Sequence, residues 1–233
     1  MQAIILAGGK GVRLKPYTTS FPKSLVPLGD YPILEIIIMQ LKKCGFDNIT
    51  LAVGHLASLI QAYFDKGQKW GVEIFYSFED KPLGTAGPLK QIKNTEENFL
   101  VLNSDDLTDL NYLNFYKYHI NKKSIVTVSK FIKKTKIDFG VIQADENNII
   151  LDYIEKPEYT FGVSMGIYAF NRKALDYIPE NTYFDFPKLI KQLIAQNIPV
   201  NCYDHNGLWL DIGRPDDYET ASEIFDELKS KIL

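Results

Sequence analysis

The sequence predicts an α/β protein built on a mostly parallel mixed sheet, and three observations predict it. The chain opens on a short apolar strand that glycines end. Apolar strands then alternate with amphipathic helices through the first half. The second half turns strand-rich with no Pro-, Gly- or Ser-rich linker dividing it from the first. Strands alternating with helices imply βαβ units, right-handed crossovers and parallel neighbours. The architecture that follows is a Rossmann-like sheet flanked by helices. A β-rich half is inserted or appended and covers one side of a ligand.

The elements follow in order. Residues 3–6 are continuously apolar, as a strand buried on both faces should be. Asp30-Tyr31-Pro32 is a helix-start signal, and Ile33, Leu34, Ile37, Ile38 and Leu41 then share one helix face that Gly45 ends. Residues 49–53 form a second strand, and Leu56, Leu59, Ile60, Tyr63 and Phe64 mark a second helix. Val72, Ile74 and Tyr76 alternate as a third strand; residues 99–102 form a fourth, ending on Asn103-Ser104-Asp105-Asp106. Tyr112, Phe115, Tyr116 and His119 share a further helix face. Beyond it, residues 124–131, 140–144, 149–154 and 163–170 read as strands, with Asp145-Glu146-Asn147-Asn148 as a turn. Short helices at 172–177 and 187–196, a strand at 199–203 and an amphipathic helix at 216–229 complete the chain.

The 233 residues, 45% hydrophobic and 24% charged, suffice for a large core in a soluble globular protein. A net charge of −3 argues against a broad basic surface for nucleic acid, yet permits one anion in a local basic loop. No membrane span is expected, because the apolar stretch 33–41 is short and carries Glu35 and Gln40. Gly and Lys interrupt the apolar N-terminus, so no signal peptide is expected either. Cys44 and Cys202 form no metal pattern and read as free thiols in a reducing cytoplasm.

The chemistry points to the stretch Leu6-Ala7-Gly8-Gly9-Lys10-Gly11-Val12-Arg13-Leu14, followed by Phe21-Pro22-Lys23. Glycines let the backbone turn sharply and approach a ligand, and exposed N–H groups beside Lys10, Arg13, Lys15 and Lys23 suit a polyphosphate. It is not a Walker A loop, which needs Gly-Lys-Ser/Thr, nor a dinucleotide fingerprint, whose last Gly is here Leu14. A tight turn with solvated lysines is the plainer alternative. Asp105 follows the fourth strand, at the carboxyl edge where open α/β sheets bind ligands. A carboxylate facing a phosphate loop suits Mg²⁺, although Asp105 or Asp106 taken alone reads as well as a loop residue or helix cap. Asp211, in Gly207-Leu208-Trp209-Leu210-Asp211-Ile212-Gly213, needs a cation partner: a metal shared with Asp105, or a Lys or Arg.

The ordered set of segments resembles the sugar-1-phosphate nucleotidyltransferase family. The matching segments are the glycine loop, Phe21-Pro22-Lys23-Ser24-Leu25-Val26-Pro27, Pro82-Leu83-Gly84-Thr85-Ala86-Gly87-Pro88-Leu89, Asn103-Ser104-Asp105, Phe139-Gly140-Val141, Ile154-Glu155-Lys156-Pro157, Met165-Gly166-Ile167-Tyr168 and Trp209-Leu210-Asp211-Ile212-Gly213. They span nearly the whole chain. The resemblance implies that Arg13 and Lys23 are catalytic and bind the triphosphate. It implies that Leu6, Ala7, Gly8, Gly9, Gly11, Gly84 and Thr85 contact the nucleotide. Gly140, Glu155 and Lys156 then meet the sugar phosphate, while Asp105 and Asp211 hold Mg²⁺. One domain over 1–233 is expected, with 1–110 mainly for the nucleotide, 111–233 mainly for the sugar phosphate, and no C-terminal β-helix. The partners implied are an NTP and a sugar-1-phosphate, with no nucleic acid or membrane, in a monomer or homodimer.

The segment 82–89 resembles the form in mannose-1-phosphate guanylyltransferases, which implies GTP with a mannose-, heptose- or hexosamine-1-phosphate. Uridylyl or thymidylyl transfer to a glucose-1-phosphate-type sugar is the alternative, and a catalytically silent nucleotide-sugar sensor is another. Three departures stand out: Ser104 where the family usually has Gly, Val12 where Thr is frequent, and Ser24 where Pro often follows the lysine. None of the three histidines is assigned a role.

Overall fold

The computed structural model describes residues 1–14 and 17–232, with the backbone alone of Lys231. The first half runs β1 (Gln2–Ala7), β2 (Pro27–Leu28), β3 (Tyr31–Pro32), α1 (Ile33–Lys43), β4 (Asn48–Val53), α2 (Ala57–Phe64), β5 (Glu73–Phe78), α3 (Gly87–Gln91), β6 (Asn98–Asn103) and β7 (Asp106–Thr108). It continues through α4 (Tyr112–Lys122), β8 (Val126–Lys136), β9 (Val141–Ala144), β10 (Ile150–Ile154), β11 (Glu158–Asn171), α5 (Phe186–Ala195), β12 (Val200–His205), β13 (Trp209–Asp211) and α6 (Pro215–Ile232).

Seven strands form one mixed sheet in the order β12-β8-β11-β6-β1-β4-β5. β4, β5 and β6 run parallel to β1 or to its neighbour, and β12 runs parallel to β8. β11 is antiparallel to both of its neighbours, β6 and β8, so it is the one reversed strand of this sheet. The expected α/β architecture is therefore present, and the strand-rich half extends the same sheet as β8, β11 and β12. β9 and β10 stand apart as a two-stranded arm.

The apolar run of β1 is explained by burial on both faces. Ala3, Ile5 and Ala7 enter one core with α1, α2, α4 and α6, whereas Ile4 enters the other with Leu89, Leu189 and Leu193 of α3 and α5. β6 divides the same way, Leu100 and Leu102 to one side, Phe99 and Val101 to the other. Each such isoleucine or leucine contributes on the order of 2 kcal/mol by leaving water. The sheet is thus pinned at the two strands whose carboxyl ends carry the glycine loop and Asn103 to Asp106.

Some elements differ from the sequence expectation. α1 begins at Ile33 after Pro32, and no side chain caps it, so Asp30 does not serve as the cap. Residues 172–177 form a 3₁₀ helix. β8 runs five residues past Phe131, because residues 130–136 pair with 158–164 of β11 and the ladder outweighs the polarity of Lys133, Lys134 and Lys136. Among the described residues no helix is long and apolar enough to cross a membrane.

Candidate active site

β1 has β4 on one side and β6 on the other, and the chain runs outward through β4 and β5 before it crosses back to β6, where the winding reverses. The crevice beyond its carboxyl end is a topological switch point, the usual ligand position in such sheets. A cleft of about 940 Å³ opens there. Leu6, Ala7, Gly8, Gly9 and Gly11 line it, with Arg13, Lys23, Gly84, Thr85 and Asp105. The glycine loop closes on itself through Leu14 N–H to Gly11 O at 2.9 Å and Thr18 Oγ1 to Gly11 O at 2.7 Å. Lys10 also lines the cleft; Lys15 lies outside the described residues.

The acidic side of the cleft is built by a pairing that spans the chain. β7 and β13 are antiparallel, with Asp211 opposite Asp106, and the Ile212 N–H donates to Asp105 O at 3.0 Å. One ligand oxygen from each of Asp105, Asp106 and Asp211 lies within 4.8 Å of the other two. The Lys23 ammonium is ion-paired with Asp105 Oδ2 and offsets part of this charge. Trp209 Nε1–H donates to Asp106 Oδ1 at 3.0 Å, while Asp106 Oδ2 is buried without a partner. Burial raises the Asp106 pKa well above the carboxylate range, with Asp105 and Asp211 adding to the shift and Trp209 and Lys23 opposing it. Asp211 reaches solvent, yet loss of water around its carboxyl and the charge of Asp105 raise its pKa too, against Lys23 and Arg13. Three clustered carboxylates with an unpartnered buried oxygen are a hard, oxygen-only donor set, which fits Mg²⁺. Asp106 is the member that sequence reasoning did not assign.

The turn at Gly84 is held from behind. Gly84 has φ +80°, and a Cβ there would stand 2.6 Å from Asp185 Oδ1. Thr85 N–H donates to that oxygen at 3.0 Å, and Phe186 N–H donates to Thr85 Oγ1 at 2.9 Å. The N–H groups of Ala86 and Gly87 both donate to Phe184 O at 2.9 Å. The small residues of this turn are therefore required by its own docking on residues 184–186. Asp185 was not singled out in the sequence, because nothing links it to Thr85 until the chain folds.

The profile of the nucleotidyl transferase family matches residues 2–227. The chain belongs to the nucleotidyl transferase family. It is 36% identical over 241 residues to a UTP–glucose-1-phosphate uridylyltransferase of Synechocystis, covering 95% of this chain and 62% of the relative. It is also 36% identical over 233 residues to the mannose-1-phosphate guanylyltransferase catalytic subunit beta of Drosophila melanogaster, covering 96% and 62%. This nucleotidyl transferase chain thus spans less than two thirds of the length of these curated relatives. Among solved structures, HddC from Yersinia pseudotuberculosis complexed with GMP-PN superposes with a TM-score of 0.72 at 25% identity, covering 96% of this chain and 99% of that one.

Three expected residues of this nucleotidyl transferase lie apart from the cleft. Glu155 and Lys156 are exposed where β10 meets β11, and Lys156 has φ +44°. Gly140 precedes β9, and a Cβ on it would collide with the Tyr153 hydroxyl. None of the three lines the cleft. Conversely, His55, Glu79, Asp80 and Tyr183 line it and were not assigned from the sequence. The departures have clear settings: Val12 is exposed, Ser104 lines the cleft, and Ser24 is buried with its Oγ unpartnered.

Proposed function

We propose that this chain transfers a nucleotidyl group from an NTP to a sugar-1-phosphate, forming an NDP-sugar and releasing pyrophosphate. The observation that carries this reading is the cleft itself, where Lys10, Arg13 and Lys23 face Asp105 across the ends of β1 and β6. An oxygen of the sugar phosphate attacks the α-phosphorus. The bond from that phosphorus to the bridging oxygen breaks, and pyrophosphate leaves with the electron pair. The attacking phosphate is already ionised at neutral pH, so no general base is needed. Residues 1–110 supply the triphosphate groups, with Arg13 and Lys23 stabilising charge on the α-phosphate and the departing pyrophosphate. Residues 111–233 supply Lys156 for the sugar phosphate and Glu155 for sugar hydroxyls, with Gly140 alongside. Two cationic sets thereby offset the repulsion between two anions before they meet. Mg²⁺ held by Asp105 and Asp211, with Asp106 beside them, would neutralise phosphate charge and align the triphosphate.

For the substrates, the likeness of residues 82–89 and the guanylyl relatives favour GTP and a mannose-, heptose- or hexosamine-1-phosphate. A uridylyl relative at the same identity supports a second reading, UTP or dTTP with a glucose-1-phosphate-type sugar. The test is pyrophosphate release with Mg²⁺, the four NTPs and dTTP, against a panel of sugar-1-phosphates. Turnover with GTP and one of the named sugars is the expected result. Turnover only with UTP or dTTP establishes the second reading. Release only with CTP and phosphocholine overturns the sugar assignment, and no release with any pair points to a nucleotide-sugar sensor.

A further inference from the structure

Asp211 joins the acidic group from β13, a strand of three residues that pairs with β7 in a two-stranded ribbon. A ribbon this short does not hold its own geometry in water. Its two strands are anchored unequally. β7 is buried along its length, and Gln40 Nε2 of α1 donates to Thr108 O at 2.7 Å. β13 is half-buried at Trp209 and Leu210 and exposed at Asp211. Beside the cleft it is held by the Ile212 N–H on Asp105 O and by the Trp209 indole on Asp106. What holds its other end helps to decide whether Asp211 stays in register.

That end is gripped by side chains. Leu208, the residue before β13, has both of its backbone groups taken. Its N–H donates to Asp109 Oδ1 at 2.7 Å, and its carbonyl accepts from the Thr108 hydroxyl at 2.7 Å. The Asp109 N–H adds a longer bond to the same carbonyl, at 3.4 Å. His205 Nε2, at the end of β12, lies 3.0 Å from Asp109 Oδ1 and 3.1 Å from Leu208 O. Both are acceptors, so Nε2 carries the ring hydrogen. The turn between His205 and Leu208 is fitted to the carboxylate, because a Cβ on Gly207 would collide with Asp109 Oδ1. Phe131 of β8 packs on Trp209 with ring centroids 5.5 Å apart, so two paired strands of the large sheet both touch the ribbon. One oxygen of Asp109 thus joins the end of β7, the 205–208 turn and β12.

We propose that Asp109 is a positioning residue: by fixing Leu208 it sets the register of β13 and so holds Asp211 against Asp105 and Asp106. A slip of one residue moves a strand's side chains to the other face, which would turn Asp211 away from the group and bring Leu210 or Ile212 to its place. Asp109 does not line the cleft, so it acts through Leu208, three residues before Asp211. The inference rests on the nucleotidyl-transfer reading only where turnover is measured.

The test uses the full chain and three variants. Asp109→Ala removes the grip. Gly207→Ala keeps the carboxylate but drives it off the turn, so the test survives if the first variant does not fold. Asp109→Asn keeps an Oδ1 acceptor and is the rescue. Hydrogen exchange over residues 209–212 should speed up roughly 10-fold in both alanine variants, the worth of one hydrogen bond to a charged acceptor, and should return close to wild type with asparagine. Exchange over β1 and β6 should not change. Without nucleotide, the dissociation constant for Mn²⁺, used as the probe, should rise roughly 10-fold in the alanine variants alone. In turnover, the Mg²⁺ concentration for half-maximal rate should rise by a similar factor while KM for the sugar-1-phosphate holds. Unchanged exchange over 209–212, or an equal rise throughout the sheet, overturns the proposal. So does unchanged Mn²⁺ affinity in both alanine variants, asparagine that behaves as alanine does, or a wild-type chain that binds no Mn²⁺. If no NTP is turned over, the transfer reading falls, and exchange and Mn²⁺ binding still decide Asp109.

Discussion

The cleft and the β9–β10 arm are built in opposite ways. In the cleft several groups are held from behind: Asp106 by the Trp209 indole, Thr85 by Asp185 and Lys23 by its ion pair with Asp105. On the arm, Ile142, Ile150, Leu151 and Tyr153 are exposed, Leu151 by 68%, and Glu155 and Lys156 stand in solvent beside them. The difference teaches where preorganisation resides. Lys23, proposed to stabilise charge at the α-phosphorus, is held by Asp105 before any ligand arrives, whereas the groups proposed to grip the sugar phosphate do not line the cleft. Substitutions in the cleft should therefore change the chemical step, and substitutions near the arm should change sugar-phosphate affinity.

Asp105→Asn should give the largest effect. It removes a carboxylate from the acidic group and the partner of Lys23, so kcat should fall roughly 10³-fold or more with far-UV circular dichroism unchanged. Near-normal pyrophosphate release from this variant would collapse the distinction between the two regions. Lys23→Ala should lower kcat by roughly 10²–10³-fold, as for the loss of one preorganised charge donor. Lys156→Ala should instead raise KM for the sugar-1-phosphate by roughly 10–10²-fold and leave KM for the nucleotide unchanged. A fall in kcat alone would place Lys156 with the cleft groups.

His119 should have the smallest effect on turnover at neutral pH. It is fully buried on α4, its Nδ1 lies 2.8 Å from Thr127 Oγ1, and burial lowers its pKa from 6.5 to about 4. The unfolded chain therefore takes up the proton first. The stability that neutral His119 contributes is fully present above pH 6.5 and is lost as pH falls toward 4, by roughly 3 kcal/mol in total. Thermal unfolding of His119→Gln should show a shallower fall in Tm than wild type across that interval. Parallel curves would remove His119 as the cause.

Much of the first region was legible because its signals are local. The glycines after β1, the apolar runs of β1 and β6 and the carboxylate that follows β6 each sit within a few residues of the feature they specify. Asp106 was not legible as a member of the acidic group, since it looks like any acidic neighbour of Asp105 until β13 pairs with β7. Glu79 carries no pattern either; a glutamate at a strand end becomes unusual only when folding places it in the cleft and removes part of its water. The extension of β8 through its lysines was hidden for a related reason. Its strand character comes from the β11 ladder, which no window of residues 130–136 contains.

The pairing of β7 with β13 also sets a clock. Asp106 meets Asp211 only by closing a loop of about a hundred residues, a contact whose entropy cost must be met before it returns anything. While a ribosome is still making the chain, β1, β4, β5 and β6 are all available to pair, and the glycine loop with them. The acidic group cannot assemble until β13 has emerged. A partly made chain therefore has its phosphate-facing loop with Asp105 and Asp106 but without Asp211, and the acidic group becomes whole only once β13 has been synthesised.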